Sequence, residues 1–371
     1  MNNPKLNMYS PFSSLGYGVA GTNIFKALSM SGHDIAFFLI GQLEGSETDT
    51  ALVKEAIEKG DLFEDFSDAP CFKIWHEFSL SERIGSGPCF AMPFFEINEL
   101  DQRRINHLNS VDGIIVPSNW AKDIVKSHTQ TPPLVGVAPL GVDASIFTHG
   151  PHKTTDKCVF LNCGKWEKRK GHDLLLEMFR MAFPDETDVE LWMMSENPFL
   201  AQSNGLIKHA HEWNRYYQSD PRVKLISRVE SHSDVASIMA SADCGVFPSR
   251  AEGWNLELLE MMSMGKHVIA TDYSAHTEFC TKDNCDLIDI ETLEKARDDL
   301  FFDGSTGEWA CLTGGPFKQT VDYMRSFYEA WRKEPVQYNT DGVETAKKFS
   351  WMNTATRIEE IIYGSQSSAT K

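Results

Sequence analysis

The sequence predicts an α/β protein of two domains, each built on a parallel sheet. Three observations lead there. From Cys244 to Ala270 the chain runs as apolar strand, loop, helix and apolar strand, and a helical return between two such runs is how parallel strands are joined. The same alternation of apolar runs and helical periods restarts at Cys158, after a polar stretch from Asp143 to Asp156. A length of 371 residues suits two domains of roughly 150 residues each.

In chain order, Leu6–Tyr9 is expected as a short first strand. A loop with Gly16, Gly18 and Gly21 follows, then a helix marked by Ile24, Ala27 and Leu28. Glycines between a strand and a helix allow a ligand to approach the backbone closely, or simply form a tight turn. Asp34–Ile40 is a buried strand and Glu47–Lys59 a polar helix; Cys71–Trp75 and Cys89–Phe95 are two further strands. His76 and Glu96 follow those strands, at the end where a parallel sheet presents its ligands. His76 also fits a structural hydrogen-bonder. Asp101–Ser110 is a short helix, Val111–Trp120 strand then turn, Ala121–Ser127 helix, and Pro133–Val142 the last strand of this half. Asp143–Asp156 is the linker.

The second half begins with strand Cys158–Cys163, a basic loop Gly164–Gly171, and a helix carrying Leu174, Leu175, Met178 and Phe179. Val189–Met194, Asn204–Tyr217, Arg222–Ile226 and Ser231–Ala240 continue as strand, helix, strand, helix. A loop at Gly314–Pro316 precedes an aromatic-rich helix, Lys318–Lys333. Ser350–Ile362 is a closing helix with a Ser cap, and Gly364–Lys371 is expected to be mobile.

The net charge of −18 argues against attraction of the whole protein to nucleic acid or an anionic membrane. It leaves room for local basic surfaces at Arg103–Arg104 and Lys165–Lys170. No run approaches the roughly 20 apolar residues of a membrane span, so no stable membrane insertion is expected. The opening MNNPKLNMYSPF has no apolar core of a signal peptide. Eight cysteines form no C-x-x-C pair, and several lie in apolar runs as small core residues. A cytoplasmic setting follows. No metal site is expected.

The chemistry concentrates in Phe247–Ala270. Glu252 lies in the loop above a strand's carboxyl end, and Glu260 lies eight positions on, about two turns into a helix capped by Asn255. The helix N-terminus offers free N–H groups and a positive dipole end to a phosphate. A carboxylate beside it can accept two hydrogen bonds from a vicinal diol. A diphosphate next to a ribose or sugar satisfies both features; a capped helix with a solvated glutamate satisfies the spacing alone.

The string PSRAEGW, the second glutamate eight residues after the first, and GKHVIATD together resemble the donor-site signature of glycosyltransferase family 4. Trp254, Asn255 and His267 stand where the family usually has Phe, Gly and Pro. The resemblance extends to VDGIIVPSNW and APLGVD, and to Gly164, Lys165, Lys170 and Gly171 in register with G-R-x-x-x-x-K-G. It implies two Rossmann-like domains facing across a cleft (GT-B). Residues 1–148 would be the acceptor domain, 149–348 the nucleotide-sugar domain, and 349–371 a helix crossing back to the first domain with a tail.

The resemblance further implies a retaining transferase, independent of metal. It would move sugar from a UDP- or GDP-sugar, a substrate rather than a resident cofactor, to an acceptor hydroxyl. Glu252 would contact the donor sugar and Glu260 the ribose. Lys165 and Lys170 would bind the diphosphate, with Arg169 able to substitute for Lys165. Backbone groups of Gly253, Trp254 and Asn255 would help, Glu96 would contact the acceptor, and Gly16 and Gly18 would shape the acceptor and phosphate side. A glycan, a small molecule and a modified DNA base all fit as acceptor. Other activities that fit are a viral DNA-base glycosyltransferase, an epimerase, a phosphorylase and a non-catalytic sugar-nucleotide binder.

Overall fold

The computed structural model describes residues 3–61, 66–129, 134–150, 155–201, 204–229, 231–335 and 338–369. The chain divides into two compact units. Met1–Gly141 and Lys348–Lys371 form the first, and Val142–Lys347 the second. The boundary thus falls after Gly141 rather than after residue 148. Part of the expected linker, residues 151–154, lies outside the described residues.

Unit 1 holds β1 (Lys5–Phe12), α1 (Gly16–Met30), β2 (Asp34–Leu43), α2 (Glu47–Asp61), β3 (Cys71–Lys73), β4 (Cys89–Ala91), α3 (Gln102–Leu108), β5 (Gly113–Val116), α4 (Asn119–His128) and β6 (Leu134–Val137). The strands form one parallel sheet in the order β2-β1-β3-β4-β5-β6. The chain winds from β1 outward to β2, then restarts at β3 on the other side. The reversal point therefore lies between β1 and β3, where open α/β sheets bind ligands at the strands' carboxyl ends.

β3 and β4 are shorter than their apolar runs. Ile74, Met92 and Phe95 lie beyond the ladder but are buried. Apolar runs mark burial, and here burial outlasts strand pairing. The closing helix, α11 (Trp351–Ala369), packs in this unit: a Cβ at Gly136 of β6 would collide with Ile361, and the Tyr363 hydroxyl donates to the Lys5 carbonyl (3.2 Å). Ser350 caps it by accepting from the Asn353 N–H (3.2 Å). The helix continues through Ala369, past the Gly364 start expected for the tail; residues 370 and 371 lie outside the described residues.

Unit 2 repeats the plan with β7 (Cys158–Cys163), α5 (His172–Ala182), β8 (Val189–Met194), α6 (Asn204–Tyr217), β9 (Val223–Leu225), α7 (His232–Ser241), β10 (Cys244–Phe247), α8 (Leu256–Ser263), β11 (His267–Thr271) and β12 (Asp286–Ile288). Its parallel sheet has the order β12-β11-β10-β7-β8-β9, so the reversal lies between β7 and β10. The loops following these two strands are the basic loop and the Glu252 loop. Topology alone thus brings together two segments 80 residues apart.

The core of this unit gathers Phe160, Leu175, Phe179, Phe183, Leu191 and Val246, closed by α9 (Gly315–Lys333) through Met324, Phe327, Tyr328 and Trp331. The aromatic helix is therefore core. α10 (Thr340–Ala346) follows it. An antiparallel hairpin, β13 (Leu293–Arg297) with β14 (Asp303–Ala310), has no counterpart in the sequence reading. Of its strand residues only Ala296, Trp309 and Ala310 carry buried apolar groups, so no period-2 pattern announces it.

Candidate functional site

The basic loop is shaped by two glycines. Gly164 has φ +130°, and a Cβ there would lie 2.8 Å from Lys170 Cε, so the lysine chain passes directly over it. Gly171 has φ +77°, and a Cβ there would run into the Pro248 carbonyl oxygen. Only glycine combines that conformation with that approach. The Arg250 N–H then donates to the Arg169 carbonyl (2.6 Å), joining the loop to the one after β10.

Between the loops lies a buried ionic cluster. Glu252 Oε1 accepts from Lys170 Nζ (2.8 Å) and Ser249 Oγ (2.8 Å), while Oε2 accepts from Arg169 Nη1 (2.8 Å). Arg169 Nη1 also donates to the Ala251 carbonyl (2.6 Å), and Nη2 to Glu167 Oε2 (2.6 Å). The other Glu167 oxygen pairs with Lys165 Nζ (3.0 Å). Burial alone would raise both carboxyls. Arg169 first, then Lys170, outweighs it and holds Glu252 well below the carboxylate range; Arg169 and Lys165 bring Glu167 down to about 2. Burial would lower the Lys170 ammonium, but Glu252 and Glu257 raise it on balance. Lys165, Arg169 and Lys170 are thus each paired with a carboxylate.

The helix entry is equally built. Asn255 takes φ +81°, a left-handed conformation that Asn tolerates among non-glycine residues. This accounts for Asn where the family resemblance has Gly. Its side chain accepts from the Leu258 N–H (3.3 Å) as the predicted cap, and its amide donates to His276 Nε2 (2.9 Å). His276 Nδ1 in turn faces the Thr271 carbonyl (3.0 Å), which fixes the proton on Nδ1. Burial lowers this imidazole to about 4. His172 is similarly neutral, lowered to about 3 by burial and then Lys170. It accepts from the Glu167 N–H (3.2 Å) and faces Asn162 Oδ1 (2.8 Å).

Glu260 differs from every carboxylate above. It is 8% exposed and makes no side-chain hydrogen bond or ion pair with any described residue. Burial, then the neighbouring charge of Glu257, raises its carboxyl well above the ordinary range. Burial and these same two glutamates push the Cys163 thiol up while Lys170 draws it down, so α8's acidic face, the end of β7 and Lys170 share one neighbourhood.

The site residues expected from sequence therefore separate into groups. Lys165, Arg169, Lys170, Glu252, Gly253, Asn255 and Glu260 gather at the reversal point of unit 2. Lys165 is its most open cation, with its side chain 35% exposed and its ammonium 5.2 Å from the Phe199 ring centroid. Trp254 turns inward, 5.0 Å from Phe279, and is buried. Gly16, Gly18 and Glu96 belong to unit 1. Gly16 opens α1 with free space beside it, whereas Gly18 is buried where a Cβ would strike Ser13.

Several further participants had little signal in the sequence: Glu167, Ser249, His172 and His276. Arg250 is another. It pairs with Asp173 (2.6 Å) and Glu294 (2.7 Å), bolting the hairpin to the loop after β10. At the reversal point of unit 1, His76 belongs to a set of half-buried rings whose other members carried no signal in the sequence. Tyr17 stacks on Phe94 (4.5 Å) and lies against His76 (4.5 Å) and Trp75 (5.6 Å), and His76 stacks on Phe78 (5.0 Å). The Tyr17 hydroxyl accepts from the Phe94 N–H (3.0 Å). Burial, then Glu77 and Glu96, raises its phenol, which places Glu96 beside the rings.

Residues 157–298 match the family model for glycosyl transferases group 1. Among curated proteins the chain is 23% identical over 303 residues to a glycosyltransferase of Sulfolobus islandicus filamentous virus, covering 79% of this chain and 76% of that one. It is 24% identical over 196 residues to an MMP α-(1→4)-mannosyltransferase of Mycolicibacterium hassiacum, covering 50% of this chain and 41% of the mannosyltransferase. Among solved structures, sucrose-phosphate synthase from Thermosynechococcus elongatus superposes with a TM-score of 0.70 at 13% identity, covering 99% of this chain and all of that one. Anabaena HepE in complex with UDP and glucose gives 0.70 at 14%, over 98% and 100%. The two parallel-sheet units have the GT-B fold, and the matches support a group 1 glycosyltransferase. No helix among the described residues is long and apolar enough to cross a membrane.

Proposed function

We propose that the protein transfers a sugar from a nucleoside-diphosphate sugar, with UDP or GDP as the nucleotide, to an acceptor hydroxyl with retention of anomeric configuration. The observation that carries this reading is Glu260, a carboxylate 8% exposed with no protein partner among the described residues. Such a group costs stability unless a ligand supplies donors. The two hydroxyls of a ribose supply them. The N-terminus of α8 and Lys170 lie beside it and suit the diphosphate. Charge on that diphosphate grows as the glycosidic bond breaks, and a fixed cation and helix dipole stabilise it then. HepE, with the same fold, is known with UDP-glucose.

Retention is favoured because Glu252, the carboxylate on the sugar side, is tied into ion pairs and is a poor base. The departing diphosphate is left to take the acceptor proton. On the acceptor side, the rings of unit 1 suit a neutral hydroxylated ring stacked on Trp75 and Tyr17, with Glu96 accepting from its hydroxyl. The charge of −18 weighs against a DNA acceptor.

The test is a thermal-shift and transfer screen of UDP-glucose, GDP-mannose and UDP-N-acetylglucosamine. A donor at 100 times its Kd should add about 2.7 kcal/mol of stability. Glu260→Ala should weaken that donor roughly 10- to 100-fold, the worth of hydrogen bonds to a charged group. An unchanged Kd in Glu260→Ala would refute the reading.

A further inference from the structure

We propose that Arg169 is a positioning residue for Glu252 rather than a phosphate ligand, and that Lys170 is the cation that changes partner when the donor binds. This deepens the nucleotide-sugar reading above and rests on it. The two cations are adjacent in sequence and share one carboxylate, yet they are held very differently.

Arg169 is 2% exposed, and its planar guanidinium is clamped from both loops. Nη1 spans Glu252 Oε2 (2.8 Å) and the Ala251 carbonyl (2.6 Å), and Nη2 meets Glu167 Oε2 (2.6 Å). Moving it onto a phosphate would strip three acceptors at once and leave two buried carboxylates under-paired. A buried ion that loses its partner is expensive.

Lys170 has a flexible stem and three donors, and Glu252 is its one hydrogen-bond partner among the described residues. It lies over Gly164, where no side chain blocks it. An incoming diphosphate can therefore take this ammonium by rotation of the stem alone.

The exchange has a consequence for the sugar. Glu252 Oε1 already accepts from Lys170 and Ser249, and Oε2 from Arg169. A carboxylate has about four acceptor positions. When Lys170 turns to the diphosphate, a position on Oε1 opens for a sugar hydroxyl, while Arg169 keeps the carboxylate ionised and aimed. Seating the phosphate thus adds a position on Oε1, beside Ser249, to the one that Oε2 already has free for the sugar. Glu167 is the brace behind Arg169, with Lys165 on its far oxygen (3.0 Å).

The experiment uses the full chain with uridine and guanosine diphosphates and their glucose and mannose esters. It measures Kd by calorimetry and kcat as nucleoside diphosphate released from the sugar donor with water as acceptor. Arg169→Lys cannot span three acceptors. It should leave the nucleoside-diphosphate Kd within about threefold while kcat falls roughly 30-fold or more. Lys170→Met should weaken the nucleoside diphosphate itself about tenfold or more.

An Arg169→Lys variant that loses nucleoside-diphosphate affinity as Lys170→Met does would overturn the proposal. Should Arg169→Lys fail to fold, Glu167→Gln is measured instead, and it must lower kcat several-fold at unchanged Kd; unchanged kcat overturns the proposal. If the wild-type chain binds no nucleoside diphosphate, the donor reading fails first and this proposal with it. That result differs from the other because it appears before any substitution is made.

Discussion

The two units solve the same topological problem with opposite chemistry. In each, the sheet reverses direction at its centre, between β1 and β3 in unit 1 and between β7 and β10 in unit 2, and the loops after those strands meet there. Unit 2 fills its reversal point with ions: Glu167, Arg169, Lys170 and Glu252, all buried and paired. Unit 1 fills its own with rings: Tyr17, Trp75, His76, Phe78 and Phe94, all half-buried. Buried ions need their partners built in, because desolvation is costly for each one. Rings need none, so they can remain partly open. The ionic site therefore depends on complete pairing, and the aromatic site does not.

The sharpest way to break this contrast is to remove the carboxylate at the centre of the ionic site. Glu252→Gln takes from Lys170 its carboxylate partner and from Arg169 one of two, and should cost about 3–5 kcal/mol in urea unfolding, with loss of transfer. Adding Lys170→Met should return part of that stability, since fewer unpaired charges remain. If the single substitution is neutral, the ionic site does not depend on its pairing.

A second, smaller effect is in pH. His276 and His172 are held neutral in the fold at about 4 and about 3, against an ordinary 6.5. The unfolded chain therefore binds more protons below pH 6.5, so stability present above that value is lost as pH falls towards 4 and then 3. The loss is on the order of 3 kcal/mol or more. Glu167, at about 2 against 4.5, adds to it below pH 4.5. Glu260 acts in the opposite sense: its raised carboxyl makes the empty protein less stable as pH rises from 4.5. Glu260→Gln should thus flatten the alkaline side of the stability profile measured by thermal unfolding.

Third comes Gly171→Ala, which must adopt a positive φ and displace the Pro248 carbonyl. It should cost about 2 kcal/mol and weaken donor binding by parting the two loops. The smallest effect is expected on the aromatic side. Trp75→Ala should raise the acceptor KM about 3- to 10-fold, the worth of one stacked ring, with donor KM unchanged. A shift in donor KM instead would move the rings into the donor site.

Much of the fold was legible because apolar runs and helix caps are local. Asn204–Tyr217 and the Asn255 cap lie where the sequence puts them. The strands β3 and β4 came out shorter because an apolar run records burial, and residues such as Ile74 and Met92 are buried outside the ladder. The hairpin after β12 escaped because its few buried apolar residues, Ala296, Trp309 and Ala310, do not alternate along a strand. Within the site, Glu252, Lys170 and Glu260 stood out by spacing, whereas His276 and Arg250 did not, since a single His or Arg in a polar loop carries no pattern.

The succession of strands, loops and helices along the chain was determined by the sequence alone through local periodicity; the strand order across each sheet, and so which loops meet at its reversal point, was not. Which charges actually pair was decided only in the tertiary structure. Arg169 and Glu252 are 83 residues apart, and they meet because Gly171 lets two loops touch. Three adjacent basic residues are alike in sequence. Packing gives Arg169 a closed cage and Lys170 a single hydrogen-bond partner among the described residues.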